Sequence, residues 1–477
     1  MRNTLIPIFE TATRRNSLTA KMVDNSIAIF LSNTHQLRNA DVEYPYRQDS
    51  NFWYLTGVDE ADCILILKKV RGEILTTLYI PKFDELMVIW TGQDLTSDKA
   101  KQESGINDIM LTEDFEQSLA TVCKGVSTIY FDEGLEGWSE MRTIISKHIH
   151  SQSRRSNSEN ITTIHKTSIL INELRLFKSD WEIDQMRISN RIALEAHNKI
   201  QNYLYEVKKN IYEYELEAIL YNHFKSNGCD WSYPAIVAAG DNANILHYTR
   251  NNSKVGQGDL ILIDAGCEYN YYASDITRCY TIGGEFTDPQ KLIVELVQRA
   301  QNAAIQNLSE PNATMVSYHN AAVEVLTQGL IQLGILKGSV ESNIESKTYQ
   351  KYYPHGTGHF LGLDVHDVGQ YKNLDGTRAE VKIQPRMCLT VEPGLYFRSD
   401  DMTVPVEFRG IGVRIEDDVV IRPDGSVEVL ENVKEGFVDY AKMIASRKKY
   451  SDKIKQFSKG KNRNVKLLNA DIDKYNY

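Results

Sequence analysis

The sequence predicts a two-domain protein of the mixed α/β (α+β) class. Its 477 residues exceed the length of one typical domain, so two or three domains are expected. Short apolar runs of strand length alternate with longer stretches of helical pattern. Hydrophobic residues make up 42% and charged residues 25%, which is typical of globular proteins and excludes the disordered, collagen-like and disulfide-scaffold classes.

Four apolar runs predict strands in the first part of the chain: Ser26–Leu31, Cys63–Leu67, Ile74–Ile80 and Ser127–Phe131. Helical stretches lie between these runs, which indicates a small α/β domain. The Ser- and Asn-rich stretch 150–163 offers few apolar anchors, so we expect an exposed loop near a domain boundary. We therefore place the small amino-terminal α/β domain at residues 1–175.

A second domain, at residues 176–438, begins with a strong helix start. Ser179 can cap the helix, and Glu182 can reach back to the cap, which together form a capping box. Helices are expected at about 180–206 and 212–227. Strands with interleaved helices follow, up to about residue 432.

Charge and cysteine content limit the partners and the compartment. The net charge of −10 argues against a nucleic-acid partner, and no apolar stretch approaches membrane-spanning length. Only the end is basic: from residue 436 onward eleven Lys/Arg stand against four Asp/Glu, so 439–477 is a basic extension in which 440–457 could form a helix. Six scattered cysteines, with no CxxC and no secretory signal, indicate reduced thiols in a cytoplasmic protein.

The second domain places acidic side chains inside apolar strands, where a carboxylate is costly unless it is paired or binds a metal. LILIDAG runs into Asp264, and Asp275 follows in YYASDITR. A two-residue turn at Tyr269-Asn270 would set Asp264 directly opposite Asp275, with Cβ atoms about 5 Å apart on one face. Two buried carboxylates this close repel each other unless a cation lies between them. Alone, however, an Asp before Gly at a strand end is more often a turn residue.

The segment PHGTGHFLGLDVHDVG supplies His355, His359 and His366, and its glycines favour loop and strand backbone over helix. His366 would face away from His359 on an unbroken strand, unless Gly362 bends the chain. His355 could serve only to cap the backbone of a glycine-rich turn.

Two further strands end in acidic residues. LTVEPGLY places Glu392 before Pro-Gly, and GIGVRIEDDVVI places Arg414 and Glu416 on one face of a strand. Four carboxylates would balance the charge of two divalent cations. Oxygen ligands with one imidazole favour Mn²⁺, with Co²⁺, Fe²⁺ or Zn²⁺ as alternatives.

These residues together resemble the aminopeptidase P and prolidase group of the pita-bread metallopeptidases. The group's five metal ligands match, in order and in local motif, the series Asp264, Asp275, His359, Glu392 and Glu416. YPYRQDSNFWYLTG resembles the amino-terminal domain of aminopeptidase P, and NILHYT resembles the segment that carries a substrate histidine, here His247. The resemblance, over about residues 25–440, implies a carboxy-terminal pita-bread catalytic domain.

The resemblance also implies roles for the site residues. Two divalent cations on the five ligands would activate a water for attack on the carbonyl of an Xaa–Pro bond, and Glu392 would also shuttle the proton. His355 would line the proline side of the pocket, and Arg414 would orient a ligand carboxylate. The expected catalytic residues are His247, His355, His366, Glu392 and Arg414. The expected substrate-binding residues are Tyr233, His247, His366 and Tyr396.

The function that this implies is an Xaa-Pro aminopeptidase, which releases the first residue of peptides with proline in second position. The alternatives are a prolidase restricted to Xaa-Pro dipeptides, a metal-free creatinase-like hydrolase, and a non-catalytic peptide-binding module on the same fold. The last two are disfavoured because all five ligand positions are filled.

Arg414 could also be a plain salt-bridge partner of Glu416. The expected partners are proline-containing peptides and further copies of the chain, as a homodimer or homotetramer.

Overall fold

The structure is a computed structural model that describes residues 6–92, 95–132, 139, 143–147, 161–207, 210–373 and 379–430. The exposed loop predicted near 150–163 lies largely outside these residues, and the helix predicted at 440–457 lies wholly outside them. Among the described helices, none is both long and apolar enough to span a bilayer. All six cysteines are buried and unbridged.

Contacts divide the chain into two compact units, Met1–Arg175 and Leu176–Tyr477. The helices of the first unit are α1 (Ile8–Lys21), α2 (Ser50–Thr56), α3 (Glu85–Thr91), α4 (Ser97–Ser104) and α5 (Phe115–Val122), and α6 (Ser168–Leu176) ends one residue into the second. Its strands are β1 (Ser26–Leu31), β2 (Leu37–Asn39), β3 (Val42–Glu43), β4 (Ile64–Val70), β5 (Glu73–Ile80), β6 (Asp108–Leu111), β7 (Thr128–Tyr130) and β8 (Thr163–His165).

A six-stranded mixed sheet with the order β6-β5-β4-β1-β7-β8 forms the centre of the first unit. Strands β1, β4, β5 and β7 confirm the four predicted strands, and β4 continues to Val70 because its last residues pair with β5. The short strands β6 and β8 lie at the two edges of the sheet and are largely half-buried or exposed. They were not predicted because they lack a continuous apolar run.

The aromatic segment YPYRQDSNFWYLTG forms the loop before α2 and α2 itself. Asp49 accepts a hydrogen bond from the Phe52 amide at the start of the helix, and Gly57, with φ of 72°, ends it. Phe52, Trp53 and Tyr54 are buried. Arg14 donates to the Tyr54 carbonyl and Arg15 to the Leu55 carbonyl, so two buried cations satisfy the carboxyl end of α2.

The second unit contains longer helices and several small sheets. Its helices are α7 (Asp180–Glu206), α8 (Glu213–Ser226), α9 (Asp288–Leu308), α10 (Met315–Gln332) and α11 (Val340–Glu345). Its strands are β9 (Ile211–Tyr212), β10 (Asp230–Trp231), β11 (Ile236–Ala239), β12 (Lys254–Val255), β13 (Ile261–Asp264), β14 (Cys267–Tyr269), β15 (Tyr272–Ala273), β16 (Thr277–Tyr280), β17 (Cys388–Val391), β18 (Gly394–Phe397), β19 (Ile411–Arg414), β20 (Asp417–Ile421) and β21 (Val427–Val429). The sheets are β11-β13-β16, β10-β14-β15, β17-β20-β21, β18-β19 and β9-β12.

Helices α7 and α8 confirm the two predicted helices. Ser179 accepts from the Glu182 amide at 3.2 Å, and the Glu182 carboxylate accepts from the Ser179 amide at 2.8 Å, so the predicted capping box is present. The helices bury their apolar faces in one core with the strands that carry the acidic residues. The sheets are therefore backed by helices, which fixes the strand ends in place.

The predicted pairing of Asp264 directly opposite Asp275 is wrong. The hairpin turns one residue later, at Asn270-Tyr271, where both residues have positive φ, as a two-residue type I′ turn requires. The side-chain amide of Asn270 also donates to Gln185 Oε1 in α7, which stabilises this turn. Asp264 therefore pairs with Thr277. The strand partner of Asp264 thus shifts by two residues, from Asp275 to Thr277. Because side chains alternate between faces, Asp275 stays on the same face of the hairpin as Asp264.

The segment 410–421 is two strands rather than the single strand predicted. Strand β19 ends at Arg414 and pairs with β18, whereas β20 begins at Asp417 and pairs with β17. The chain changes sheets at Ile415 and Glu416, and the Glu416 amide donates to the Thr277 carbonyl at 3.2 Å. Arg414 and Glu416 consequently reach the same region from the ends of different sheets.

Candidate metal centre

Five acidic and imidazole groups converge in the second unit, four at strand ends and His359 in a loop. Asp264 ends β13, Asp275 precedes β16, and Glu392 directly follows β17. One ligand atom from each of Asp275, His359 and Glu416 lies within 4.8 Å of the others. His359 Nε2 is also 3.6 Å from Glu392 Oε1. The fold thus brings together the donors that the sequence motifs single out.

Tyr233 joins the two aspartates. Its hydroxyl oxygen lies 2.5 Å from Oδ1 of Asp264 and 2.5 Å from Oδ1 of Asp275. Burial and the two carboxylate charges raise the pKa of Tyr233 well above its ordinary value, so the hydroxyl keeps its proton. The side chain is half-buried, with its hydroxyl directed at the aspartates.

His359 presents the ring nitrogen that a metal ligand needs. Its Nδ1 donates to the Phe360 carbonyl at 3.0 Å, which leaves Nε2 as the atom that faces the carboxylates. Nε2 lies 3.4 Å from Oδ2 of Asp275. Burial alone would lower the pKa of His359, but Asp275 and Glu392 raise it to about 9. A cation bound at Nε2 would take the place of that proton.

The carboxylates cannot all ionise freely in this buried setting. Burial raises the pKa of Glu392 to about 7, and burial with the neighbouring acidic charges raises that of Glu416 well above its ordinary value. Burial also raises the pKa of Asp264, although the Arg414 charge opposes it. Asp275 is the exception, because its contact with His359 outweighs burial and lowers its pKa. Bound divalent cations would relieve this repulsion, so the donor set fits metal ions.

Arg414 lies behind the donors and contacts three of the surrounding groups. Its Nη2 donates to Asp264 Oδ2 at 2.5 Å, and its Nε donates to the Thr277 hydroxyl at 3.2 Å. The Thr277 hydroxyl in turn donates to Glu416 Oε2 at 2.6 Å. Arg414 therefore ion-pairs with Asp264 and is joined to Glu416 by hydrogen bonds through Thr277.

A second chain of hydrogen bonds runs from Arg414 to His355. Arg414 Nη1 donates to the Tyr396 hydroxyl at 3.0 Å, which donates to His355 Nε2 at 2.8 Å. His355 Nδ1 donates to the Gly356 carbonyl at 2.7 Å. Burial and the Arg414 charge lower the pKa of His355 to about 3, which agrees with the neutral tautomer that this chain requires. His355 Nδ1 lies 3.8 Å from Glu392 Oε2.

The two remaining histidines lie at the open side of the donor group. The His366 ring stands edge-on to the His359 ring, with centroids 4.4 Å apart, because residues 361–367 turn back in a loop with no strand. Both His366 and His247 are exposed. A charge on His247 would lower the pKa of His355 and of His366, so His247 lies within electrostatic range of both rings.

Several contributing residues escaped the sequence analysis. Thr277 and Thr390 both touch ligand carboxylates: the Thr390 hydroxyl lies 3.3 Å from Glu392 Oε1 and accepts from the His359 amide. Asp418 accepts from the Asp275 amide at 2.9 Å, and Arg278 ion-pairs with Asp417. The sequence signal that could have identified these residues is a polar side chain within an otherwise apolar strand. Only the true hairpin register would have placed Thr277 opposite Asp264.

The chain matches two family models. The model described as metallopeptidase family M24 matches residues 184–423, and that described as the aminopeptidase P N-terminal domain matches residues 11–130. The Xaa-Pro aminopeptidase of Haemophilus influenzae is 37% identical over 422 residues, which are 88% of this chain and 94% of that protein. The Xaa-Pro aminopeptidase of Escherichia coli is 35% identical over 441 residues, which are 91% and 97%.

Solved structures agree with the sequence relatives. Zinc-substituted aminopeptidase P of Escherichia coli, in complex with product, superimposes with a TM-score of 0.85 at 35% identity and covers 93% of this chain and 100% of that one. The aminopeptidase PepP of Pseudomonas aeruginosa gives a TM-score of 0.84 at 37% identity and covers 93% and 99%. The chain therefore belongs to metallopeptidase family M24, a family of hydrolases, and combines a pita-bread metallopeptidase domain with an aminopeptidase P N-terminal domain.

Proposed function

We propose that this chain is an Xaa-Pro aminopeptidase, which hydrolyses the bond between the first residue of a peptide and a proline in second position. The observation that carries the proposal is the donor group itself, in which four carboxylates and one imidazole meet beside exposed histidines. The similarity to Xaa-Pro aminopeptidases over most of the chain supports the same activity.

Membership of a metallopeptidase family implies divalent metal ions. We propose two of them, held by Asp264, Asp275, His359, Glu392 and Glu416, with Mn²⁺ favoured over Co²⁺, Fe²⁺ and Zn²⁺ by the ligand types. When bound, the cations would polarise the scissile carbonyl and lower the pKa of water.

Glu392 is the group that moves the proton in this proposal. Its carboxylate accepts a proton from the attacking water and passes it to the proline nitrogen as the C–N bond breaks. Without metal, burial raises the pKa of Glu392 to about 7. Bound cations would lower that pKa, which would leave the carboxylate ionised and able to accept the proton. The Thr390 hydroxyl, 3.3 Å from Oε1, helps to hold the carboxylate in one orientation.

The histidines orient the substrate. His247 and His366 are exposed beside the donors, where each can donate a hydrogen bond to the peptide carbonyl and to its developing negative charge. His355 and Tyr396, which are joined at 2.8 Å, line the proline side of the pocket. Tyr233 is also a substrate-binding residue in this proposal, and its hydroxyl holds the two aspartates.

Proline explains the need for a dedicated enzyme. Its tertiary amide has no N–H, so a site that grips the amide after the scissile carbonyl loses that contact. Recognition must instead come from the ring and from the carbonyl. The ring would contact His355 and Tyr396, and the carbonyl would contact His247 and His366.

The wider description of the molecule is also proposed. We assign residues 1–175 to an aminopeptidase P-type amino-terminal domain, 176–438 to the metallopeptidase domain and 439–477 to a basic extension. We further propose a cytoplasmic homodimer or homotetramer that acts on proline-containing peptides. Size-exclusion chromatography with light scattering would measure the number of copies.

A substrate panel tests the function. The metal-loaded protein is assayed with a tripeptide Xaa-Pro-Yaa, the matching Xaa-Ala-Yaa and the dipeptide Xaa-Pro. We expect release of Xaa from the proline tripeptide alone or preferentially. Glu392→Gln should lower kcat on the order of a hundredfold or more, whereas Glu407→Gln, at an exposed position, should leave it unchanged.

Two other results would favour the alternatives. Cleavage of the dipeptide alone would indicate a prolidase. Binding of the proline tripeptide without turnover, by a folded protein with any of the four metals, would indicate a non-catalytic binding module.

A further inference from the structure

A fully buried ion pair lies outside the donor group but next to one of its loops. Lys178 Nζ is 3.0 Å from Asp367 Oδ2, and both side chains are only 1% exposed. Lysine and aspartate are rarely buried so completely, because their desolvation costs several kcal/mol per ion. Replacing a buried ion pair by well-packed apolar residues is often neutral or stabilising, so stability alone does not account for the pair.

Lys178 is fixed at the backbone to the sheet that carries two of the ligands. Its amide donates to the Arg386 carbonyl at 2.9 Å, and its carbonyl accepts from Arg386 Nη1 at 3.1 Å. The Arg386 amide donates to the Ile421 carbonyl at the end of β20. Residue 386 leads into β17, which ends before Glu392. The ammonium group therefore projects from a rigid frame.

Asp367 closes the loop that carries the two neighbouring histidines. Its amide donates to the Phe360 carbonyl at 2.9 Å, and its carbonyl accepts from the Tyr371 hydroxyl at 2.8 Å. His359 and His366 are the residues just before these two anchor points. Closure at Phe360 and Asp367 thus sets the 4.4 Å separation of the two imidazole rings.

Gly362 leaves the space in which the pair sits. A Cβ atom at this position would lie 2.2 Å from Asp367 Oδ2 and 3.0 Å from Lys178 Cε. Real Cβ atoms do not approach so closely, so any side chain at residue 362 would displace the pair. The loop therefore has a glycine where the ion pair packs against it, which ties the loop conformation to the pair.

We propose that the Lys178–Asp367 ion pair is a positioning device that holds His366 against His359, at the place where the substrate carbonyl binds. Neither residue of the pair touches the substrate. Lys178 fixes Asp367, and Asp367 fixes the adjacent His366. The catalytic consequence rests on the proposed function, whereas the placement of the His366 ring does not.

A double-mutant cycle tests the proposal. Lys178→Met keeps the length of the side chain and removes its charge, and it should lower kcat for the proline tripeptide on the order of tenfold to a hundredfold. The same substitution in a His366→Ala background should cause no further loss of kcat, because the residue through which Lys178 acts is gone. Losses that multiply in the double variant would overturn the proposal.

The ring position is measured separately, in metal-free protein labelled with ¹³C at histidine Cε1. The His366 signal, assigned by its absence in His366→Ala, should shift in Lys178→Met. Lys69→Met is the control, because it removes the ammonium of a half-buried lysine that is likewise hydrogen-bonded, to two backbone carbonyls, but in the first unit. It should leave both the His366 signal and kcat unchanged. An unshifted signal in Lys178→Met would also overturn the proposal.

Should Lys178→Met not fold, Asp367→Asn serves in its place, because the amide keeps the size of the side chain and removes its charge. It should shift the same signal and show the same lack of additivity with His366→Ala. If the wild-type protein does not cleave the tripeptide, the proposed function fails. The histidine signal then still decides whether the pair positions His366.

Discussion

Thr277 shows how one hydroxyl can link two charged groups in a buried site. It is fully buried, accepts a hydrogen bond from Arg414 Nε and donates one to Glu416 Oε2. A hydroxyl is suited to this position because it can accept and donate at once. Glu416 is thereby held in one orientation, and Arg414 is held by Asp264, Tyr396 and the Thr277 hydroxyl.

We predict that Thr277→Val weakens metal binding. Valine keeps the shape of the side chain but removes both hydrogen bonds, so Mn²⁺ affinity should fall on the order of tenfold to a hundredfold. Titration of metal-stripped protein with Mn²⁺ measures this change.

Thr281→Val is the matched control for this variant. The Thr281 hydroxyl is buried a few residues further along the chain and has no hydrogen-bond partner among the described residues. This control should keep the wild-type affinity. Equal affinities for Thr277→Val and Thr281→Val would show that Glu416 does not depend on the threonine.

The sequence indicates the donor residues better than the residues that hold them. Asp264, Glu392 and Glu416 stand out because each interrupts an apolar run. A buried carboxylate is costly unless it is paired or binds a metal. Thr277 and Thr390 do not stand out, because a threonine is ordinary in a strand. Their importance follows only from which strands pair, and in what register, which no local pattern specifies.

At the scale of the element, Glu213 fixes the loop that carries His247. Its Oε1 accepts from the Ala239 amide and the Asn242 side chain, and its Oε2 accepts from the Tyr248 hydroxyl. It also accepts from the Ser253 amide at 2.8 Å. One buried carboxylate at the start of α8 thus holds the loop on both sides of His247.

We predict that Glu213→Gln destabilises this loop. The amide turns one acceptor into a donor that faces other donors, so the free energy of unfolding should fall by roughly 2 kcal/mol or more. Urea unfolding measures the loss. Glu217→Gln, at a half-buried position of the same helix, should change it little. Equal midpoints for the two variants would contradict the account of Glu213.

Elements with strong local signals are predictable, and their connections are much less so. The capping box at Ser179 and the apolar run of β1 are local, and both are found where the sequence places them. The hairpin turn depends on the contact of Asn270 with Gln185 in helix α7, so the sequence alone misplaces it by one residue. The break between β19 and β20 likewise results from pairing with two different sheets.

At the scale of the whole molecule, charged contacts join elements that are distant in sequence. Arg187 of α7 donates to both carboxylate oxygens of Glu428 at 2.8 Å, and Arg422 Nε donates to the same group. The hydrogen bonds from Arg187 hold the pKa of Glu428 below its ordinary 4.5, although partial burial opposes the shift. A lowered folded-state pKa means that this contribution to stability is present above pH 4.5 and is lost as the pH falls below it.

We predict that Glu428→Gln lowers the melting temperature at pH 7 and that this effect shrinks as the pH falls below 4.5. The expected loss at pH 7 is about 1 kcal/mol, because both arginines are partly exposed. Thermal unfolding of the variant and the wild type across this pH range measures the difference. A difference that does not depend on pH would show that packing, not the ion pair, accounts for it.

The two-part architecture is predictable because composition and apolar periodicity act over long stretches. Each compact unit has its own helices and strands, as the sequence indicates. The donor group is predictable in its members, since four carboxylates in apolar strands imply cations. Its geometry is not, because it depends on four strand ends and the loop of His359, which the whole fold brings together.

The most direct test of the account is a metal titration in which activity and bound metal are measured together. Metal-stripped protein receives increasing Mn²⁺, and release of Xaa from Xaa-Pro-Yaa is followed against the equivalents bound. We predict negligible turnover without metal, full activity as two equivalents bind, and a melting temperature that rises with the metal. Full turnover in the stripped protein, or none at saturation in a folded protein, would contradict the central claim.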